Sequence, residues 1–156
     1  MQQAVARFED LEAIKALKIR YARYCDAGYD PEGIASLFVP DGVWDGGELF
    51  GRHEGVDAIR EHFRSASSRI PWALHFTLSP EIELEGATGR NRRAHGTWYL
   101  WQPCVLRSAR GTDREAYLTG TYSDTYVKAE GIWRFETVLV KARWFSGPPP
   151  PMLGTD

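Results

Sequence analysis

The chain has 156 residues, 43% of them hydrophobic and 26% charged, a length and balance that suit one soluble globular domain with its own core. Its formal net charge is −2, so there is no excess of Lys and Arg to draw it to nucleic acid or to an anionic membrane surface. No basic-then-apolar leader and no apolar run of bilayer-spanning length is found, and a cytoplasmic protein is expected.

Leu11, Ile14, Leu17, Tyr21 and Tyr24 recur at three- and four-residue steps and predict a helix over Phe8 to Ala27, with Gly28 as its stop. Pro31 at a helix start, followed by Ile34, Leu37 and Phe38, predicts a short second helix ended by Pro40-Asp41-Gly42. Gly42–Trp44 and Glu48–Phe50 are expected to pair as a hairpin around Gly46-Gly47. A third helix is expected over Val56–Ser67, with Val56, Ile59, His62 and Phe63 on one side and Pro71 beyond it. Strands are predicted over Trp72–Ser79, Glu81–Glu85, Arg93–Leu106, Glu115–Lys128 and Ile132–Phe145. Turn clusters such as Gly86-Ala87-Thr88-Gly89 and Ala129-Glu130-Gly131 separate them, and Arg90-Asn91-Arg92-Arg93 reads as a solvated turn.

Helices followed by an antiparallel meander make an α+β domain, with the helices on one face of a curved sheet. The domain is expected over residues 1–147, with a proline-rich tail at 148–156 that is a loose end, a cover over a pocket mouth or an arm to a neighbouring subunit. The absence of βαβ alternation and of a glycine-rich phosphate loop argues against a doubly wound nucleotide-binding fold. Cys25 and Cys104 match no metal or disulfide spacing and are expected to be buried thiols.

Sorting strand residues by their two-residue period places Trp72, Leu74, Phe76 and Leu78 on one face and Ala73, His75, Thr77 and Ser79 on the other. Taken alone, the first face is core and His75 looks at water. The longer strands oppose this, because Trp98, Leu100, Gln102 and Cys104 lie opposite Tyr99, Trp101 and Val105, leaving neither face polar. Likewise Val138, Val140 and Trp144 lie opposite Trp133, Phe135, Leu139 and Phe145. One face is then expected to line a cavity under the helices and the other to join subunits into a dimer or trimer.

Tyr21 and Asp26 close the first predicted helix, and His75 follows in a strand. Asp26 would lie at the negative end of the helix macrodipole, which disfavours a bare carboxylate and suits one that trades protons with a histidine.

Several blocks resemble SnoaL-like proteins: Asp10-Leu11-Glu12-Ala13-Ile14-Lys15-Ala16-Leu17-Lys18 with Tyr21 and Asp26, Leu37-Phe38-x-x-Asp41, and Gly55-Val56-Asp57-Ala58-Ile59. Tyr122-x-Asp124-x-Tyr126 and Gly131-x-Trp133-Arg134-Phe135 agree as well. The resemblance covers about residues 8 to 146 and implies the cone-shaped α+β barrel of ketosteroid isomerase, scytalone dehydratase and nuclear transport factor two. Leu74-His75, Pro80-Glu81-Ile82 and Gly96-Thr97-Trp98-Tyr99-Leu100 are most similar to bile-acid 7α-dehydratase, with hexachlorocyclohexane dehydrochlorinase more distant.

That likeness implies a cofactor-free lyase or isomerase in which Asp26 orients His75, His75 takes a proton from carbon, and Tyr21 donates to the developing oxyanion or leaving hydroxyl. Trp98 would help dry the pocket, and Gln102, Lys141 and Arg143 would orient an apolar, ring-bearing substrate. An acidic residue of the bile-acid enzyme falls near Gln102, and its late arginine near Lys141–Arg143. No cofactor or metal is expected, since no carboxylate cluster accompanies His53 and His62, and His95 lies on the face opposite Trp98 and Gln102. The alternatives are a non-catalytic module binding a small molecule or a protein, and a ring-hydroxylase small subunit.

Overall fold

The computed structural model describes residues 1–86 and 91–147, so most of the turn at 86–89 and the proline-rich tail lie outside the described residues. Helix α1 spans Gln2–Asp26, α2 Pro31–Ala35, α3 Gly47–Phe50 and α4 Val56–Ala66. Strands are β1 Phe38–Asp45, β2 Arg52–Glu54, β3 Trp72–Ala73, β4 Phe76–Leu84, β5 Arg92–Arg107, β6 Asp113–Ala129 and β7 Ile132–Phe145. They form one curved, open sheet in the order β2-β1-β7-β6-β5-β3, with β4 also paired to β5. The meander is antiparallel as expected, but β1 joins it parallel to β7.

Helix α1 buries Asp10, Ile14, Leu17, Lys18, Tyr21, Ala22 and Cys25, one stripe at three- and four-residue steps. Gly28 takes φ +76° just past its end, and the N–H groups of Tyr29 and Asp30 return to the carbonyls of Cys25 and Tyr24, each at 3.0 Å. Asp30 then caps α2 by accepting from the Gly33 N–H at 3.1 Å. The predicted second helix ran too far: Leu37 accepts from the Phe135 N–H, and Phe38 opens β1.

The expected hairpin exists with a different second arm. The Asp45 carboxylate accepts from the Gly47 N–H at 2.8 Å and starts a turn that coils Gly47–Phe50 into α3, so the strand returning beside β1 is Arg52–Glu54. β4 runs through Pro80, with Ser79 at φ +50° and a register shift between Leu78 and Glu81. A bulge tolerates the missing proline N–H, which explains why two predicted strands are continuous.

The basic turn is also corrected. Arg92 is buried, donates to Asp10 Oδ2 at 2.6 Å and to the Gly86 carbonyl at 3.1 Å, and begins β5. Asp10 collects Lys128 and Trp133 as well, at 2.7 and 2.8 Å. Burial by itself would raise the Asp10 carboxyl; the bonds from Lys128, Trp133 and Arg92 outweigh it and hold the group below its usual value.

The concave face carries Trp98, Leu100, Cys104, Leu118, Tyr122, Tyr126, Phe135, Val138 and Val140 against the helices, while Trp72, Phe76, Leu78, Tyr99, Trp101, Tyr117 and Trp144 are exposed. Strict alternation misassigned β7. A register shift beside Glu136 turns Phe135 and Val138 to the same side, and a second, opposite Thr119–Gly120, leaves Trp144 outside.

Candidate active site

Asp26 ends α1, and the strand break between β3 and β4 brings His75 to it. Leu74 still donates its N–H to the Pro103 carbonyl, but His75 has left the ladder, and its N–H goes to Asp26 Oδ1 at 2.7 Å. The His75 ring Nδ1 meets the same oxygen at 3.0 Å. With two bonds on one carboxylate oxygen, the backbone sets the distance and the ring is oriented on it. The His75 side chain is 5% exposed and that of Asp26 20%.

His75 lines a cavity of ≈70 Å³ between the sheet and the helices. Leu100 and Gln102 of β5, Leu118 and Tyr122 of β6, and Val140 of β7 form its floor. Tyr21, Tyr29, Trp44 and the α4 side, including His62 and Arg69, form its walls. Such a volume holds a few waters and is too small for a fused polycycle. With Nδ1 engaged by Asp26, Nε2 is the nitrogen left for a ligand.

Trp44 Nε1 donates to the Tyr21 hydroxyl at 2.8 Å, and the same hydroxyl lies within hydrogen-bond reach of Tyr122 and Cys25. Burial raises the hydroxyls of Tyr21, Tyr29 and Tyr122 well above the phenol range, so all three are neutral donors at physiological pH. Tyr29 packs edge-on to His75 with ring centroids 5.6 Å apart, and Gln102 Nε2 approaches the Tyr29 hydroxyl at 3.4 Å.

The chain matches the SnoaL-like domain over residues 6–138. It belongs to that family. Three solved structures share the fold at low identity. A candidate scytalone dehydratase from Novosphingobium aromaticivorans is 19% identical with a TM-score of 0.75, covering 98% of this chain and 99% of that one. A hexachlorocyclohexane dehydrochlorinase from Novosphingobium barchaimii is 16% identical with a TM-score of 0.79, over 98% and 99%. A candidate aromatic ring hydroxylase from Novosphingobium aromaticivorans is 23% identical with a TM-score of 0.74, over 90% and 94%.

In this SnoaL-like domain Tyr21, His75 and Gln102 share the cavity, and Asp26 stands behind His75. Three residues expected there are placed elsewhere. Trp98 is buried but donates to the Tyr126 hydroxyl at 3.0 Å and does not line the cavity. Lys141 and Arg143 are exposed, because Val140 points inward and its odd-numbered neighbours point out. Among the described residues no group of three His, Cys, Asp or Glu side chains is placed to hold a metal, and no helix is long and apolar enough to cross a membrane.

Sequence reasoning passed over Tyr29, Tyr122, His62 and Arg69. Tyr122 was within reach, since it alternates with Leu118 and Asp124 on β6. Tyr29 was not, because its φ of +60° follows from the turn after α1. His62 stacks on His53 at 4.1 Å and on Trp44 at 4.5 Å, and its Nδ1 has no hydrogen-bond partner among the described residues. Burial, then His53, then Arg69 push its pKa down from 6.5 to about 3.

That shift predicts acid sensitivity. Between about 3 and 6.5 the unfolded chain binds a proton on His62 that the folded chain refuses, so stability falls as pH drops through this window. The slope is at most about 1.4 kcal/mol per pH unit. Urea unfolding at stepped pH should show the slope in the native chain and a flatter profile in His62→Phe; equal slopes would place the acid sensitivity elsewhere.

Proposed function

We propose that this SnoaL-like domain is a cofactor-independent lyase, dehydratase-like or closely related in chemistry to an isomerase, acting on a small, largely apolar, ring-bearing molecule. The observation that carries the reading is the Asp26–His75 contact at 3.0 Å on the wall of a cavity lined by neutral hydroxyl donors. The carboxylate holds the proton on Nδ1 and stabilises the imidazolium that forms when Nε2 takes a proton from carbon. Tyr21, already accepting from Trp44, donates its hydrogen to the oxygen on which charge develops. Tyr29 packs against the imidazole, and Gln102 holds Tyr29. The apolar floor of Leu100, Leu118 and Val140 keeps water from competing for these donors.

Deuterium wash-in tests this directly. Single-ring ketones and ring compounds with a leaving group next to an acidic C–H, incubated with the protein in D2O, should gain deuterium or eliminate, read by proton NMR. A chain that exchanges none of them above the buffer rate leaves a binding module.

The same reading includes self-association through the outer sheet face, where Trp72, Phe76, Leu78, Tyr99, Trp101 and Trp144 expose large apolar surfaces. A dimer or trimer is expected by light scattering at micromolar concentration, and Trp101→Lys should shift it toward monomer. A monomeric native chain would refute the association.

A further inference from the structure

Among the described residues, the cavity is lined by two imidazoles, three tyrosines and one glutamine, with a single guanidinium, Arg69, and no carboxylate. Arg69 sits just past α4 with its backbone pinned: its N–H donates to the Ala66 carbonyl at 3.1 Å, and its carbonyl accepts from the Arg107 N–H at 2.7 Å. Arg52, Arg60, Arg64, Arg92, Arg93 and Arg107 each have a carboxylate partner. Arg69 is half-buried and has no ion pair or side-chain hydrogen bond among the described residues. Arg69 and His62 both line the cavity, and the charge of Arg69 is among the causes that lower the His62 pKa. His62 is itself 8% exposed, with Nδ1 unpartnered. A guanidinium drawn partly out of water and a buried imidazole nitrogen both lack what a ligand oxygen would supply.

We propose that the wall made by Arg69 and His62 binds a carboxylate carried by the substrate, so that the substrate class is a single-ring apolar acid held with its reacting carbon toward His75. This rests on the reading of His75 as the general base. The planar guanidinium fork matches a carboxylate in two parallel bonds, and the neutral His62 ring beside the cavity adds no competing charge. The competing role for Arg69 is a cation that only complements the C-terminal end of the α4 dipole; that role predicts lost stability on substitution and no ligand preference.

Calorimetric titration of the full chain with benzoate and its neutral near-isostere benzamide separates the two. The native protein is expected to bind benzoate about tenfold or more tightly than benzamide. Arg69→Gln should abolish the preference, Arg69→Lys should keep part of it, and Asp26→Asn should keep all of it. Equal affinities, no benzoate binding at millimolar concentration, or an undiminished preference in Arg69→Gln overturns the proposal. Should Arg69→Gln not fold, Arg69→Lys and the native pair of affinities decide it. A benzoate preference together with no deuterium wash-in would leave the anchor standing and remove the chemistry.

Discussion

Replacing Asp26 by Asn is expected to lower turnover, or wash-in of deuterium, by about 10²–10⁴-fold while the melting temperature stays near that of the native chain. The amide oxygen is still able to accept from the His75 N–H, which bonds the native carboxylate at 2.7 Å, so the strand break keeps its shape. What disappears is the negative charge facing Nδ1, and with it the stabilisation of the imidazolium that forms when Nε2 takes a proton. His75→Ala should produce a loss of similar size, because it removes the proton acceptor itself. The double variant should be hardly worse than either single one, as expected of groups acting as a unit. Two outcomes count against the scheme: full wash-in by Asp26→Asn, or cooperative unfolding of both variants at room temperature.

The largest stability effect is expected at Lys18, which lies on the same helix as Asp26 and does not line the cavity. Lys18 and Asp124 are both fully buried, with Nζ and Oδ2 2.8 Å apart, and Nζ lies 3.3 Å from the centroid of the Tyr122 ring. Tyr126 donates to the same carboxylate oxygen at 2.9 Å, and Trp98 donates to Tyr126. Burial lowers the ammonium and raises the carboxyl against their mutual attraction, so the pair strains against its own desolvation. Lys18→Met leaves a carboxylate without a counter-charge in the core and is expected to cost about 3–5 kcal/mol in urea unfolding. Lys18→Met combined with Asp124→Leu should recover part of that loss, because the two apolar groups need no partner while the Tyr126 hydroxyl loses its acceptor. A near-neutral single variant would mean that Asp124 is already protonated in the folded chain. The pair joins α1 to β6 at mid-helix, two turns before Asp26, so its loss is also expected to loosen the geometry at His75.

Much of the site was legible because it rests on local regularities. The stripe through Ile14, Leu17 and Tyr21 located α1, and Gly28 marked its end, which together put Asp26 in the last turn. The face of His75 was harder. Trp72, Leu74, Phe76 and Leu78 look like a core face, yet all four are exposed, and the histidine face is the buried one. Only the second apolar face on β5 and β7 hinted at this. Trp98, Lys141 and Arg143 lie outside the cavity lining for different reasons. Trp98 is on the correct face at the wrong depth, and depth along a strand is set by where the helix crosses it. Lys141 and Arg143 are on the wrong face, and the inward Val140 next to them could have shown it.

By itself the sequence determined the types and order of the longer elements, the membership of the α+β class and the residue types available for proton transfer, because these follow from periodicity, turn chemistry and composition over short spans. The tertiary structure alone decided that β1 returns parallel to β7, that bulges flip parts of that strand, and that Arg92 turns inward to Asp10. It alone also brought Tyr29, Tyr122, His62 and Arg69 to the cavity that His75 lines. Each depends on contacts between residues far apart in the chain, whose register is chosen by packing and by the pairing of buried polar groups, and no local pattern encodes that choice.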